Sequence, residues 1–346
     1  MTTAHEGTSA LVTGGSGYVG GWMIVGLLAR GYRVRATLRD LAKGDALRAA
    51  VGRWVDPGDR LSFVAADLRR DEGWARAAEG CSYVVHVASP MGQGDIKGKD
   101  LLAPARDGTL RVLTAAREAG VQRVVVTSSV VAAQPPGIGG EELHGTADES
   151  HWTDLTAKET SDYARSKTLA ERAAWDFMAQ AGAGTTLTTI LPVMILGPVL
   201  SKEVSGSVEI VSRMLSGRLP ALPRIGFGVV DVRDLVDLHL AAMVAPEAAG
   251  QRLVACSGFL WMAEIAEILR RHLGPRASRV PTRRLPDWVL RLAALFQEEA
   301  RFMAPLLGRR VEYKSDKAAA LLGFRPRSPS ETVTDCADSL LALGAV

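Results

Sequence analysis

With 346 residues, 47% of them hydrophobic and 23% charged, the chain has an ordinary globular composition and room for one large domain or two sharing a core. Its 41 basic and 38 acidic residues leave a net charge of +3, which argues against nucleic acid or a membrane surface as a partner. Cys81, Cys256 and Cys336 are odd in number, far apart and lack metal-ligand spacing. They argue for buried thiols in a reducing compartment, against a disulfide framework, and for no metal site.

Residues 1–8 are polar and show no apolar signal region, and Pro192 and Pro198 interrupt the most hydrophobic stretch. A cytoplasmic location is therefore expected. Residues 10–13 are a short apolar run that stops at Gly14-Gly15-Ser16-Gly17-Tyr18-Val19-Gly20, and a helical pattern follows to Gly31. Strand, glycine turn and helix in that order read as a dinucleotide-binding loop. The glycines permit a tight turn, close approach of backbone to a pyrophosphate, and packing of the helix on the strand.

A second strand, 33–38, ends at Arg39. NAD sites place a carboxylate near this point for the ribose 2′-hydroxyl, whereas a guanidinium pairs with a 2′-phosphate. Arg39 sits just past the strand and Asp40 lies one residue further into the loop, so NADP(H) is the expected cofactor, with Asp40 the competing candidate. Three more strands are predicted over 61–65, 83–88 and 121–128, and a helix over 100–119 closes at Gly120. Alternating strands and helices predict an α/β fold with a doubly wound parallel sheet, Rossmann-like.

Tyr163 and Lys167, four apart in a predicted helix, share one face. An ammonium there favours the phenolate, which would lower the Tyr163 pKa and make it a proton donor and acceptor near neutrality. Ser128 and Ser129 lie at the carboxyl end of the fifth predicted strand, where open parallel sheets carry their sites.

Together the glycine loop, Thr127-Ser128-Ser129 and Tyr163-x-x-x-Lys167 resemble the extended short-chain dehydrogenase/reductase family. Within it the chain is most similar to the dihydroflavonol reductase, cinnamoyl-CoA reductase and yeast methylglyoxal reductase group. The segments that carry this are Val34 through Asp40, Ala66-Asp67-Leu68, His86-Val87-Ala88-Ser89-Pro90, Asp148 through Trp152, Ser166 through Glu171, and Leu191-Pro192 through Pro198. The resemblance covers most of residues 9–235.

It implies NADPH-dependent reduction of an aldehyde or ketone, with Ser129 binding the carbonyl oxygen and Tyr163 protonating it. Lys167 would lower the tyrosine pKa and hold the nicotinamide ribose. Asp67 and Leu68 would flank the adenine, Ala88, Ser89 and Pro90 would line the cofactor, and Pro192 would border the nicotinamide. Met91, Gln134, Met194 and Phe227 become the substrate-facing positions, and the partner is a small carbonyl compound bound by a monomer or homodimer. Asp107 stands where relatives often carry Asn, and it receives no role. After the serines, Val130-Val131-Ala132-Ala133-Gln134 lacks the Tyr-Gly usual in nucleotide-sugar epimerases and dehydratases, which leaves that activity, or a non-catalytic NADP-sensing binder, as the alternatives.

The strict alternation ends near residue 193. A cofactor domain over 1–192, completed by part of 226–256, and a smaller substrate-binding lobe over 193–346 are expected. A short strand over 230–235 entering a helix that runs to about residue 245, and helices over 261–273, 286–296, 315–322 and 330–343, are predicted there.

Overall fold

Seven parallel strands form the central sheet of the computed structural model, which describes residues 7–90, 101–135, 144–158, 160–180, 184–203 and 206–346. In chain order the first half runs β1 (Ser9–Thr13), α1 (Tyr18–Ala29), β2 (Arg33–Leu38), α2 (Gly44–Gly52), β3 (Leu61–Ala65), α3 (Trp74–Ala78), β4 (Tyr83–His86), α4 (Leu102–Glu118), β5 (Arg123–Thr127), β6 (His144–Ala147) and α5 (Asp162–Gln180). The second half runs β7 (Thr186–Pro192), β8 (Met194–Leu196), α6 (Val208–Leu215), β9 (Gly226–Asp231), α7 (Val232–Val244), β10 (Arg252–Ala255), β11 (Gly258–Trp261), α8 (Met262–Leu273), α9 (Asp287–Ala293), α10 (Glu298–Met303), β12 (Arg310–Tyr313), α11 (Asp316–Leu322) and α12 (Pro329–Ala342).

The sheet order is β10-β7-β5-β4-β1-β2-β3. The chain winds outward from β1 in one direction and then, from β4, in the other. That reversal leaves a crevice at the carboxyl ends of β1 and β4. Both faces are covered, so the strands read as near-continuous apolar runs. Ala10 and Val12 of β1 pack with α1 and α7, while Leu11 between them packs with α3, α4 and α5. α1 carries no charged residue and is buried along most of its length. The fold is the Rossmann-like α/β architecture expected.

A second core gathers α6, α8 and α12 around the three-stranded sheet β11-β9-β8. The strand predicted over 230–235 is instead Gly226–Asp231, and α7 already begins at Val232. Asp231 sets that break, because its carboxylate accepts the Arg233 backbone N–H at 2.9 Å and caps the helix. β12 pairs with β6, an association that no local pattern announced.

α7 is fastened beneath β5 by His239, which is fully buried. Its Nδ1–H donates to the Leu235 carbonyl at 2.8 Å and its Nε2 accepts from the Thr127 hydroxyl at 2.8 Å. Burial pushes its pKa down to about 4. Since the folded value is depressed from about 6.5, the unfolded chain takes the proton first as pH falls. The contribution of His239 to stability is complete above about pH 6.5 and is lost progressively toward pH 4. Between pH 7 and pH 5 the unfolding free energy should fall by about 2 kcal/mol more in the wild type than in His239→Gln, as read by urea denaturation.

Candidate active site

The crevice beside β1 and β4 opens into a cleft of about 370 Å³. Its floor is the loop from β1 into α1, where Gly14, Gly17, Tyr18, Val19 and Gly20 line the space. Gly14 has φ +69°, and a Cβ on it would lie 2.9 Å from the Ala88 Cα. A Cβ on Gly20 would lie 2.2 Å from the Gly14 carbonyl oxygen. The turn is held by Gly17 N–H to the Gly14 carbonyl and by Gly14 N–H to the Thr37 hydroxyl, both at 3.0 Å. Bare backbone at the start of a helix is a cradle suited to phosphate. The Tyr18 hydroxyl is buried without a hydrogen-bond partner among the described residues, and burial pushes its pKa well up.

Along one wall, Arg39 is exposed at the end of β2 and borders the cleft. Asp40 faces its own loop instead, where its carboxylate caps a short helical turn by accepting the Ala42 N–H at 2.9 Å. Asp67 and Leu68, after β3, also line the cleft. Arg69 clamps the Asp67 carboxylate at 3.1 and 2.7 Å, and these hydrogen bonds hold its pKa down to about 2. Ala88, Ser89 and Pro90, after β4, form the opposite wall.

At the far end stand Ser129, Tyr163, Lys167 and Pro192. Tyr163 lies in the first turn of α5 and Lys167 one turn on. The expected depression of the Tyr163 pKa by Lys167 does not occur. Burial pushes the phenol up, and the opposing pull is a hydrogen bond with Ser129. Lys167 directs its ammonium to the Thr127 carbonyl at 3.4 Å, and burial pushes it down to about 8 against the attraction of Glu171. The two serines divide their tasks: Ser129 meets Tyr163, while Ser128 donates to the Glu171 carboxylate at 2.6 Å.

Other expected positions lie elsewhere. Gln134, Met194 and Phe227 are half-buried and do not line the cleft; Met194 and Phe227 pack on the second core. Val193 and Ile195, on either side of Met194, line the cleft in its place. Met91 lies outside the described residues. Asp107 pairs with its neighbour Arg106 at 2.7 Å. His86 is a packed residue of β4, bonded to Thr13 at 2.7 Å. In the arginine-rich stretch of residues 270–284, Arg270 donates to the Pro281 carbonyl and Arg271 pairs with Glu267. Sequence reasoning missed Glu171 and Arg252, whose buried ion pair lies behind the serines at 2.8 Å. The spacing of Glu171, four beyond Lys167 on one face, was the available signal.

The profile of the NAD dependent epimerase/dehydratase family matches residues 10–256, well over half of the chain. The chain belongs to that family. As a member of this extended short-chain dehydrogenase/reductase family, it is 35% identical over 269 residues to cinnamoyl-CoA reductase 1 of Arabidopsis thaliana, covering 77% of this chain and 75% of that protein. It is 34% identical over 280 residues to dihydroflavonol 4-reductase of Zea mays, covering 77% and 75%. In three dimensions it matches the yeast methylglyoxal/isovaleraldehyde reductase Gre2 complexed with NADPH, with a TM-score of 0.78, 25% identity and coverage of 98% and 100%.

Proposed function

We propose that this family member reduces an aldehyde or ketone to an alcohol at the expense of NADPH, with Tyr163 as proton donor. The observation that carries the reading is the convergence of the glycine cradle, Arg39, Ser129, Tyr163 and Lys167 on one cleft. The reductase activities in the relatives' names and the NADPH complex of the structural neighbour support the same reading. Gly14 and Gly20, where any Cβ would strike backbone, fit a pyrophosphate laid against the loop.

Bound there, NADPH would supply hydride to the carbonyl carbon. Ser129 would donate a hydrogen bond to the carbonyl oxygen as negative charge grows on it. Tyr163, kept protonated by burial, would hand over its proton to that oxygen. Lys167 would hold the nicotinamide ribose and stand behind the phenol as a positive charge. Apolar Val193 and Ile195 at this end of the cleft suit an aryl or alkyl carbonyl better than a sugar nucleotide.

Arg39 would pair with the 2′-phosphate, since Asp40 is engaged in its cap. Arg39→Ala should weaken NADPH binding about 10- to 100-fold and leave NADH binding within about twofold, as titrated by fluorescence. A wild type that binds NADH the more tightly would sink this assignment. The activity itself is tested by NADPH absorbance over a panel of aldehydes, ketones and sugar nucleotides. Turnover of sugar nucleotides without net loss of NADPH would favour an epimerase instead, and inertness throughout a non-catalytic binder.

A further inference from the structure

Beneath the proton-transfer residues the structure holds an ion pair with no role in the reading above. Glu171 is 1% exposed, and its two carboxylate oxygens are fully engaged. One accepts from Arg252 Nε at 2.8 Å and the Thr189 hydroxyl at 2.7 Å; the other accepts from the Ser128 hydroxyl at 2.6 Å. Arg252, on the edge strand β10, extends the pair. Its Nη1 donates to the carbonyls of Glu149 at 2.5 Å and His151 at 2.8 Å, and its guanidinium lies 3.6 Å from the centre of the Trp152 ring. Thr153, next in the chain, bonds the carbonyls of Val131 and Ala132 in the turn that Ser129 opens.

Tyr163, Lys167 and Glu171 are spaced i, i+4 and i+8, one face of α5. Between Lys167 and Glu171 lies a cavity of about 20 Å³, the size of one water molecule, also lined by His86, Thr109 and Ser128. Of the groups facing Lys167 there, α4 offers Ala105 and Thr109, the end of β5 offers Thr127 and Ser128, and none of these titrates. β4 offers His86, which burial keeps neutral down to about pH 3. Glu171 is thus the one anion among the described residues lining the cavity. A buried ion pair gains little net stability over an apolar pair of equal volume. The charge it presents explains it better.

We propose that Glu171 and Arg252 are positioning residues for the proton transfer. Their pair locks α5 to the turn carrying Ser129 and sets a carboxylate opposite the Lys167 ammonium. The inference rests on the reductase reading for the use made of Lys167, but the charge relation it asserts does not need turnover to be seen.

Lysine labelled with ¹³C at Cε, its Lys167 resonance assigned with Lys167→Arg, gives the titration midpoint of that side chain in the full chain. The wild type should titrate near pH 8. Glu171→Gln should lower the midpoint by about one pH unit, because burial then acts unopposed. The double variant Glu171→Gln/Arg252→Met leaves no unpaired guanidinium and should show the same lowered midpoint if the single variant does not fold. The alkaline limb of kcat/KM should move down by the same amount. A folded variant with an unchanged or raised midpoint overturns the proposal. A wild type that consumes no NADPH overturns the reductase reading alone, since the midpoint is read without substrate.

Discussion

Tyr163→Phe should lower kcat for carbonyl reduction about 10³-fold while the Kd for NADPH stays within about threefold of the wild type. Phenylalanine keeps the ring that packs at the start of α5 and removes only the hydroxyl, so the change isolates the proton. Burial holds the phenol protonated through the neutral range, and Ser129 is its hydrogen-bond partner. Without that hydroxyl the oxygen that gains charge has Ser129 as a donor but no acid. Stopped-flow hydride transfer and NADPH fluorescence read the two quantities separately. Turnover within about tenfold of the wild type would remove Tyr163 from the mechanism.

Gly20→Ala should abolish useful cofactor binding without touching any residue that does chemistry. Its Cβ would lie 2.2 Å from the Gly14 oxygen, 2.9 Å from the Gly14 carbonyl carbon and 3.0 Å from the Gly15 Cα. All three are backbone atoms in the turn, so no side chain can swing aside. Opening the loop to admit the methyl costs about 3 kcal/mol, which appears as roughly 100-fold weaker NADPH binding. Gly145→Ala is the control: a Cβ there meets nothing within 4 Å. Equal affinities for the two variants would mean that the loop does not hold the cofactor.

How much of this was readable from residues alone depends on how local each interaction is. The glycine loop, Arg39 and the Tyr163–Lys167 spacing are each written within a few consecutive positions, and all of them line the cleft. Arg39 is preferred to Asp40 by its place just past the strand, and the Asp40 carboxylate accepts the Ala42 N–H two residues on. Met194 came from the resemblance and not from any local pattern. Side chains in extended chain alternate, and its neighbours Val193 and Ile195 line the cleft while Met194 packs on the second core. The direction of the Lys167 ammonium was beyond any pattern, because it depends on the Thr127 carbonyl from another strand. Glu171 and Arg252 are 81 residues apart, and nothing near either one announces its partner.

That separation bears on the order in which the site matures. β10 is the outermost strand of the sheet, and it is reached only after the chain has passed through β8, β9 and α7. During synthesis α5 emerges with a carboxylate that must be buried, and the guanidinium that neutralises it follows 81 residues later. The Glu171 end of α5 should therefore settle only once Arg252 has docked. A fragment cut at residue 192 would carry the glycine loop, both serines, Tyr163 and Lys167, and still leave Glu171 without its cation. A fragment that keeps this pair has to run through β10, to Ala255.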